Sequence, residues 1–137
     1  MEKAAAGFRE VEHAADWALQ VWAPNLPALL EQAARGMIAL AGIQMAESPV
    51  EEGDIELTFS DREQLLVKFL NEILYWIEQE NLAFTEYKIS LSDGELKAHV
   101  IGYPVRSIGK AIKAVTYHML EVLQTNEGYE AYIVFDV

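Results

Sequence analysis

The sequence predicts an α+β fold: one two-layer domain over residues 1–137, with a mostly antiparallel sheet packed against two main helices. Three observations point there. Two stretches repeat apolar residues at helical spacing, several shorter runs alternate apolar with polar residues, and an Asp-Gly pair joins two of those runs. At 137 residues and 52% hydrophobic, the chain can build one proper core and is too short for two.

Residues 1–6 read as a loose end. Phe8 to Glu12 and Trp17 to Ala23 read as strands, and in the second Trp17, Leu19 and Val21 alternate with Ala18 and Gln20. The turn between them carries Glu12, His13 and Asp16. Asn25 is a credible N-cap for a helix in which Leu26, Leu29, Leu30, Ala33, Met37 and Leu40 recur, with Gly42 suited to its stop. Gly36 inside that helix costs about 1 kcal/mol relative to alanine, which implies a close packing contact. Residues 44–53 read as loop and Ile55 to Ser60 as a short strand. Ser60 with Glu63 forms a capping box, with Asp61 adding negative charge to the same turn. The wide apolar stripe of Leu65, Leu66, Phe69, Leu70, Ile73, Leu74 and Ile77 follows.

Tyr87 to Ser92 and Glu95 to Ile101 flank Asp93-Gly94 as a hairpin, so Tyr87, Ile89 and Leu91 share a face with Leu96, Ala98 and Val100. From Lys113 onward a helical and a two-residue period fit about equally. The turn residues Asn126, Glu127 and Gly128 favour a hairpin, hence a strand over Ala114 to Leu123. The final run, Tyr129 to Val137, is a strand that stays apolar to its last side chain except at Asp136.

Charge and composition remove several function classes. Ten Lys plus Arg stand against 22 Asp plus Glu, a net charge of −12 that repels phosphate backbones, so direct nucleic-acid binding is not expected. The absence of cysteine removes disulfides and thiolate chemistry. The N-terminus has no cleavable apolar core and no run approaches membrane-spanning length, so a soluble, cytoplasmic protein without membrane contact is expected. Gly-rich phosphate loops, GxSxG, HExxH and EF-hand patterns are missing.

What remains is carboxylate chemistry. Asp136 and the α-carboxylate of Val137 are adjacent anionic groups at the end of a rigid strand. If the turn after the first strand lies beside them, Asp16 adds a third, and the three make a site for a hard divalent cation. The simpler reading is that Asp16 caps a turn and Asp136 solvates a chain end. Lys113 can solvate an edge strand, act as counter-ion to the carboxylates, or contact a nucleotide phosphate. His118 reads as an ordinary core or surface residue, with nothing nearby in sequence to activate it.

Four blocks resemble the archease family, in the family's order and over nearly the whole chain: FREVEHAADWALQVWA, SDREQLLVKFLNEILYWIE, KAVTYHMLEV and the closing IVFDV. The family's Glu-His-Thr-Ala-Asp motif reads Glu12-His13-Ala14-Ala15-Asp16 here, and the loss of the threonine hydroxyl at Ala14 bears on support of the site. The resemblance implies a protein cofactor, not an enzyme. Its partner would be the GTP-dependent RNA ligase of tRNA splicing and RNA repair, and it would promote guanylylation of the ligase's active-site histidine over multiple turnovers. It further implies Asp16, Asp136 and Val137 as ligands of a divalent metal ion, calcium first with magnesium or manganese as alternatives. Lys113 would be the activating lysine, and GTP would be met only through the ligase. Two rivals differ in class. One is a small metal-dependent hydrolase; the other is a chaperone-like accessory of a tRNA-modification enzyme, with Trp17, Trp22 and Trp76 as contacts, although partial burial explains those tryptophans more simply.

Overall fold

A computed structural model describes residues 4–12 and 16–137, and in it the two ends of the sequence pair with each other. β2 (Trp17–Ala23) runs antiparallel to β9 (Gly128–Asp136) over its whole length, from Trp17 opposite Phe135 to Ala23 opposite Tyr129. β1 (Gly7–Glu10) covers the outer edge of β2. The other edge of β9 is shared by β7 (Ala114–Val115) and β8 (Val122–Thr125).

A second sheet is centred on β6 (Glu95–Ser107), with β5 (Leu82–Ser92) on one side. β4 (Glu51–Thr58) and the two-residue β3 (Gln44–Met45) follow each other along the opposite side. Every strand pair described is antiparallel, as the α+β expectation requires. The β5–β6 turn places Asp93 at φ 46° and Gly94 at φ 75°, the double positive φ of a type I′ hairpin. Tyr87, Ile89 and Leu91 therefore face Val100, Ala98 and Leu96.

Helix α1 (Leu26–Leu40) begins where the Asn25 side chain accepts the Ala28 N–H at 2.9 Å, and ends before Gly42 at φ 65°. It packs on β1, β2 and β9 and also touches β5. The close contact expected at Gly36 is present: a Cβ there would lie 2.5 Å from Leu19 Cδ2 and 2.9 Å from Phe8 Cγ. Helix α2 (Arg62–Tyr75) passes into a π-helical turn, Trp76–Glu80, which Asn81 closes in the left-handed conformation. α2 packs against α1, β4 and β7. One apolar core thus joins Leu19, Ala33, Leu65, Phe69, Val100 and Ile133 from both helices and both sheets. No helix among the described residues is long and apolar enough to cross a membrane.

Several expectations need correction. Ala4–Ala6 are not loose: Trp22 Nε1 donates to Ala4 O at 2.8 Å, and Ala6 packs on the core. β1 stops at Glu10, and the stretch expected as loop contains β3 and the start of β4, which reaches Thr58, not Ser60. The α2 cap is shifted by one residue. Asp61 accepts the Gln64 N–H at 2.8 Å, Gln64 Oε1 takes the Ser60 N–H at 2.7 Å, and Glu63 is left free for another partner. β5 and β6 both extend beyond the hairpin ends expected for them. The strand expected over Ala114 to Leu123 is two short strands separated by a loop. Trp17, Trp22 and Trp76 are partly buried, as the simpler reading held.

Candidate functional site

The candidate residues meet at one end of the first sheet, and strand register is what brings them there. One step beyond Trp17–Phe135 along the β2–β9 register lie Asp16 and Asp136. Strand alternation puts Asp136, the last residue of β9, on the face of Val134 and away from Ile133 in the core, while Asp16 immediately precedes β2. On the other side of β9, Ala114 pairs with Asp136, so the next step sets Lys113 against Val137. The Lys113 N–H donates to Asp136 O at 2.8 Å, which ties the lysine backbone to the strand that carries the aspartate. Asp16, Lys113, Asp136 and Val137 are all exposed.

Helix α2 fixes the segment that delivers Lys113. Asn71 Oδ1 accepts the Val115 N–H at 3.0 Å, and its amide donates to Val115 O at 3.5 Å. Glu63, released from the cap, accepts the Val122 N–H at 2.7 Å. The loop before Lys113 is anchored to the end of α1, where Ala41 O accepts N–H groups of Gly109 and Lys110, each at 2.9 Å. The Lys110 ammonium then lies 5.0 Å from the centre of the Trp17 ring, within cation–π range of the residue that follows Asp16 in sequence.

His118 is the residue that spacing missed. Six residues, 116–121, separate β7 from β8, whereas only three, 132–134, separate their partners on β9. The three surplus residues loop out, with Met119 at φ 57°, and carry His118 to Asp16: Nε2 stands 3.8 Å from Oδ2. Thr116 secures the start of this loop. Its N–H and its hydroxyl both donate to Val134 O, at 3.1 and 3.0 Å, while the hydroxyl accepts the His118 N–H at 3.2 Å. Tyr117 and Met119, flanking His118, are 55% and 65% exposed. His13 and Ala14 lie outside the described residues, and Glu12 is exposed beside them.

Among the described residues, no three His, Cys, Asp or Glu side chains group in a way that could hold a metal ion. The expected donor set is of another kind: two carboxylate side chains and a main-chain carboxylate, all hard oxygen donors.

Comparison with known proteins places these features in a family. Residues 8–137 match the model of the Archease protein family. The archease of Methanopyrus kandleri is 31% identical over 143 residues, covering 95% of this chain and 99% of its own. That of Methanosarcina barkeri is 30% identical, covering 95% of each. A crystal structure of an archease from Thermotoga maritima, described as a possible chaperone, superposes with a TM-score of 0.70 at 26% identity, covering 94% of this chain and 96% of that one.

Proposed function

The chain belongs to the archease family, and from that premise we propose that it is a cytoplasmic protein cofactor of the GTP-dependent RNA ligase of tRNA splicing and RNA repair. Its task is to promote guanylylation of the ligase's active-site histidine and to restore the ligase for further turnovers. It is not a free-standing enzyme, and it meets GTP only through the ligase. The observation that carries this reading is the convergence of Asp16, Asp136 and Lys113 at one exposed sheet end.

The donor set of Asp16, Asp136 and the Val137 α-carboxylate suits a divalent ion, calcium first, with magnesium or manganese able to replace it. Bound there, such an ion supplies positive charge for phosphate oxygens. The protein's own residues do the positioning. β9 holds Asp136 between two neighbouring strands, and the Asn71 clamp on β7 fixes the backbone from which Lys113 presents a point charge to phosphate. An exposed, acidic sheet end can enter a pocket of the ligase without the helper binding RNA itself.

A time course of GTP-dependent guanylylation of the cognate ligase tests this. The wild-type protein should accelerate it, and Asp136→Ala should return the rate to that of the ligase alone. Acceleration undiminished by Asp136→Ala would remove the cation-bearing tip, and no acceleration by the wild type would remove the ligase role. The exposure of Tyr117 and Met119 beside the tip favours a second reading, an accessory that binds a tRNA-modification enzyme through apolar contact. Affinity capture that recovers a methyltransferase and no RNA ligase would select it.

A further inference from the structure

We propose that His118 is a positioning residue for the Asp16 carboxylate, setting the orientation in which that carboxylate meets a cation. The inference rests on the cation-bearing reading of the tip and adds to it a residue outside the three expected ligands. The imidazole reaches Asp16 from a loop built on β9: the Thr116 hydroxyl that accepts the His118 N–H itself donates to Val134 O, two residues before Asp136. The His118 backbone is therefore tied to the strand that bears one carboxylate, while its Nε2 stands 3.8 Å from Oδ2 of the other. The far end of the loop is held too, since Leu120 is buried and its N–H donates to Tyr117 O at 3.1 Å.

The competing reading is a solvated ion pair of no consequence. Geometry argues against it. The side chains are 61% and 43% exposed, and 3.8 Å exceeds hydrogen-bond range, so the contact contributes little to folding. Burial of Leu120 accounts for the far end of the loop, but it does not require the imidazole two residues earlier to stand at the Asp16 carboxylate. A group that aims a ligand does have to stand there. A side chain that orients a metal-binding carboxylate typically changes affinity by about 10–100-fold without entering the coordination sphere.

Terbium(III) alone, a luminescent substitute for calcium, is the probe for the full-length protein. Trp17, next to Asp16 in sequence, serves as the sensitiser. The wild type should give a saturable luminescence titration that calcium reverses, and Asp136→Asn should abolish it. His118→Ala should weaken binding by about tenfold or more with an unchanged thermal midpoint. His118→Gln, which keeps an N–H donor, should recover most of the affinity. Equal affinity in His118→Ala and wild type, with Asp136→Asn still inactive, overturns the role of His118 and leaves the cation tip standing. A loss in His118→Gln as large as in His118→Ala, or a fall in midpoint that tracks the affinity, also overturns it. A wild-type protein that binds no terbium overturns the tip and the positioning role together.

Discussion

His99 lies between two carboxylates of the neighbouring strand, with Nδ1 2.9 Å from Asp54 Oδ1 and Nε2 3.5 Å from Glu52 Oε1. The hydrogen bond to Asp54 raises its pKa above the usual histidine value, and that to Glu52 adds to the effect. Folding thus favours the protonated ring. The resulting stabilisation is fully present below the unfolded value of about 6.5 and is lost as pH rises through the higher folded value. His99→Gln should therefore lower the urea midpoint relative to wild type more at about pH 5.5 than at about pH 8.5. A gap that stays constant or widens toward alkaline pH would contradict this assignment. The sequence shows His99 but not the carboxylates it meets. The Asp93-Gly94 hairpin fixes the β5–β6 register locally, whereas the pairing of His99 with Asp54 depends on β4 returning to the free side of β6, for which no turn residue gives the register. His118 was hidden for the same reason: its meaning lies in Asp16, at the opposite end of the chain.

Among the elements, both helices and the β5–β6 hairpin were legible because each is set by residues within a turn or two: Asn25 and Gly42 bound α1, the apolar stripe marks α2, and a type I′ turn needs Asp-Gly. The stretch after Lys113 was not. Its two-residue period is real at Ala114–Val115 and again at Val122–Thr125, yet the three residues β9 offers between cannot pair with six. The strand breaks because its partner runs out. What then holds β7 is α2, through the two hydrogen bonds between Asn71 and the Val115 backbone. Asn71→Ala leaves the Val115 N–H without that acceptor, at a cost of about 1–3 kcal/mol. The urea midpoint should fall with little change in slope. Amide exchange at Lys113 and Val115 should quicken far more than at Ile89 in the hairpin. If exchange at Val115 were unaltered, the clamp would not be what secures the lysine segment.

For the whole molecule, sequence composition already specified the field that a partner meets. Ten basic against 22 acidic residues leave −12, and the described carboxylates of Asp16 and Asp136 face solvent at the same sheet end as the exposed Lys113. The pairing of β2 with β9 was the tertiary step that local patterns could not supply, and it is what concentrates charge at that end. Such a field would draw a basic partner, as the proposed RNA ligase would be, from solution and raise the encounter rate by about 10–1,000-fold over a neutral surface. Salt shortens its reach, from a Debye length of about 10 Å at 0.1 M to about 3 Å at 1 M. The association rate constant with the ligase proposed as partner, measured by stopped-flow fluorescence, should therefore fall by about tenfold or more across that range, while the dissociation rate changes much less. An association rate indifferent to salt would mean that the acidic surface serves solubility alone, and that the partner is found by shape and apolar contact around Tyr117 and Met119.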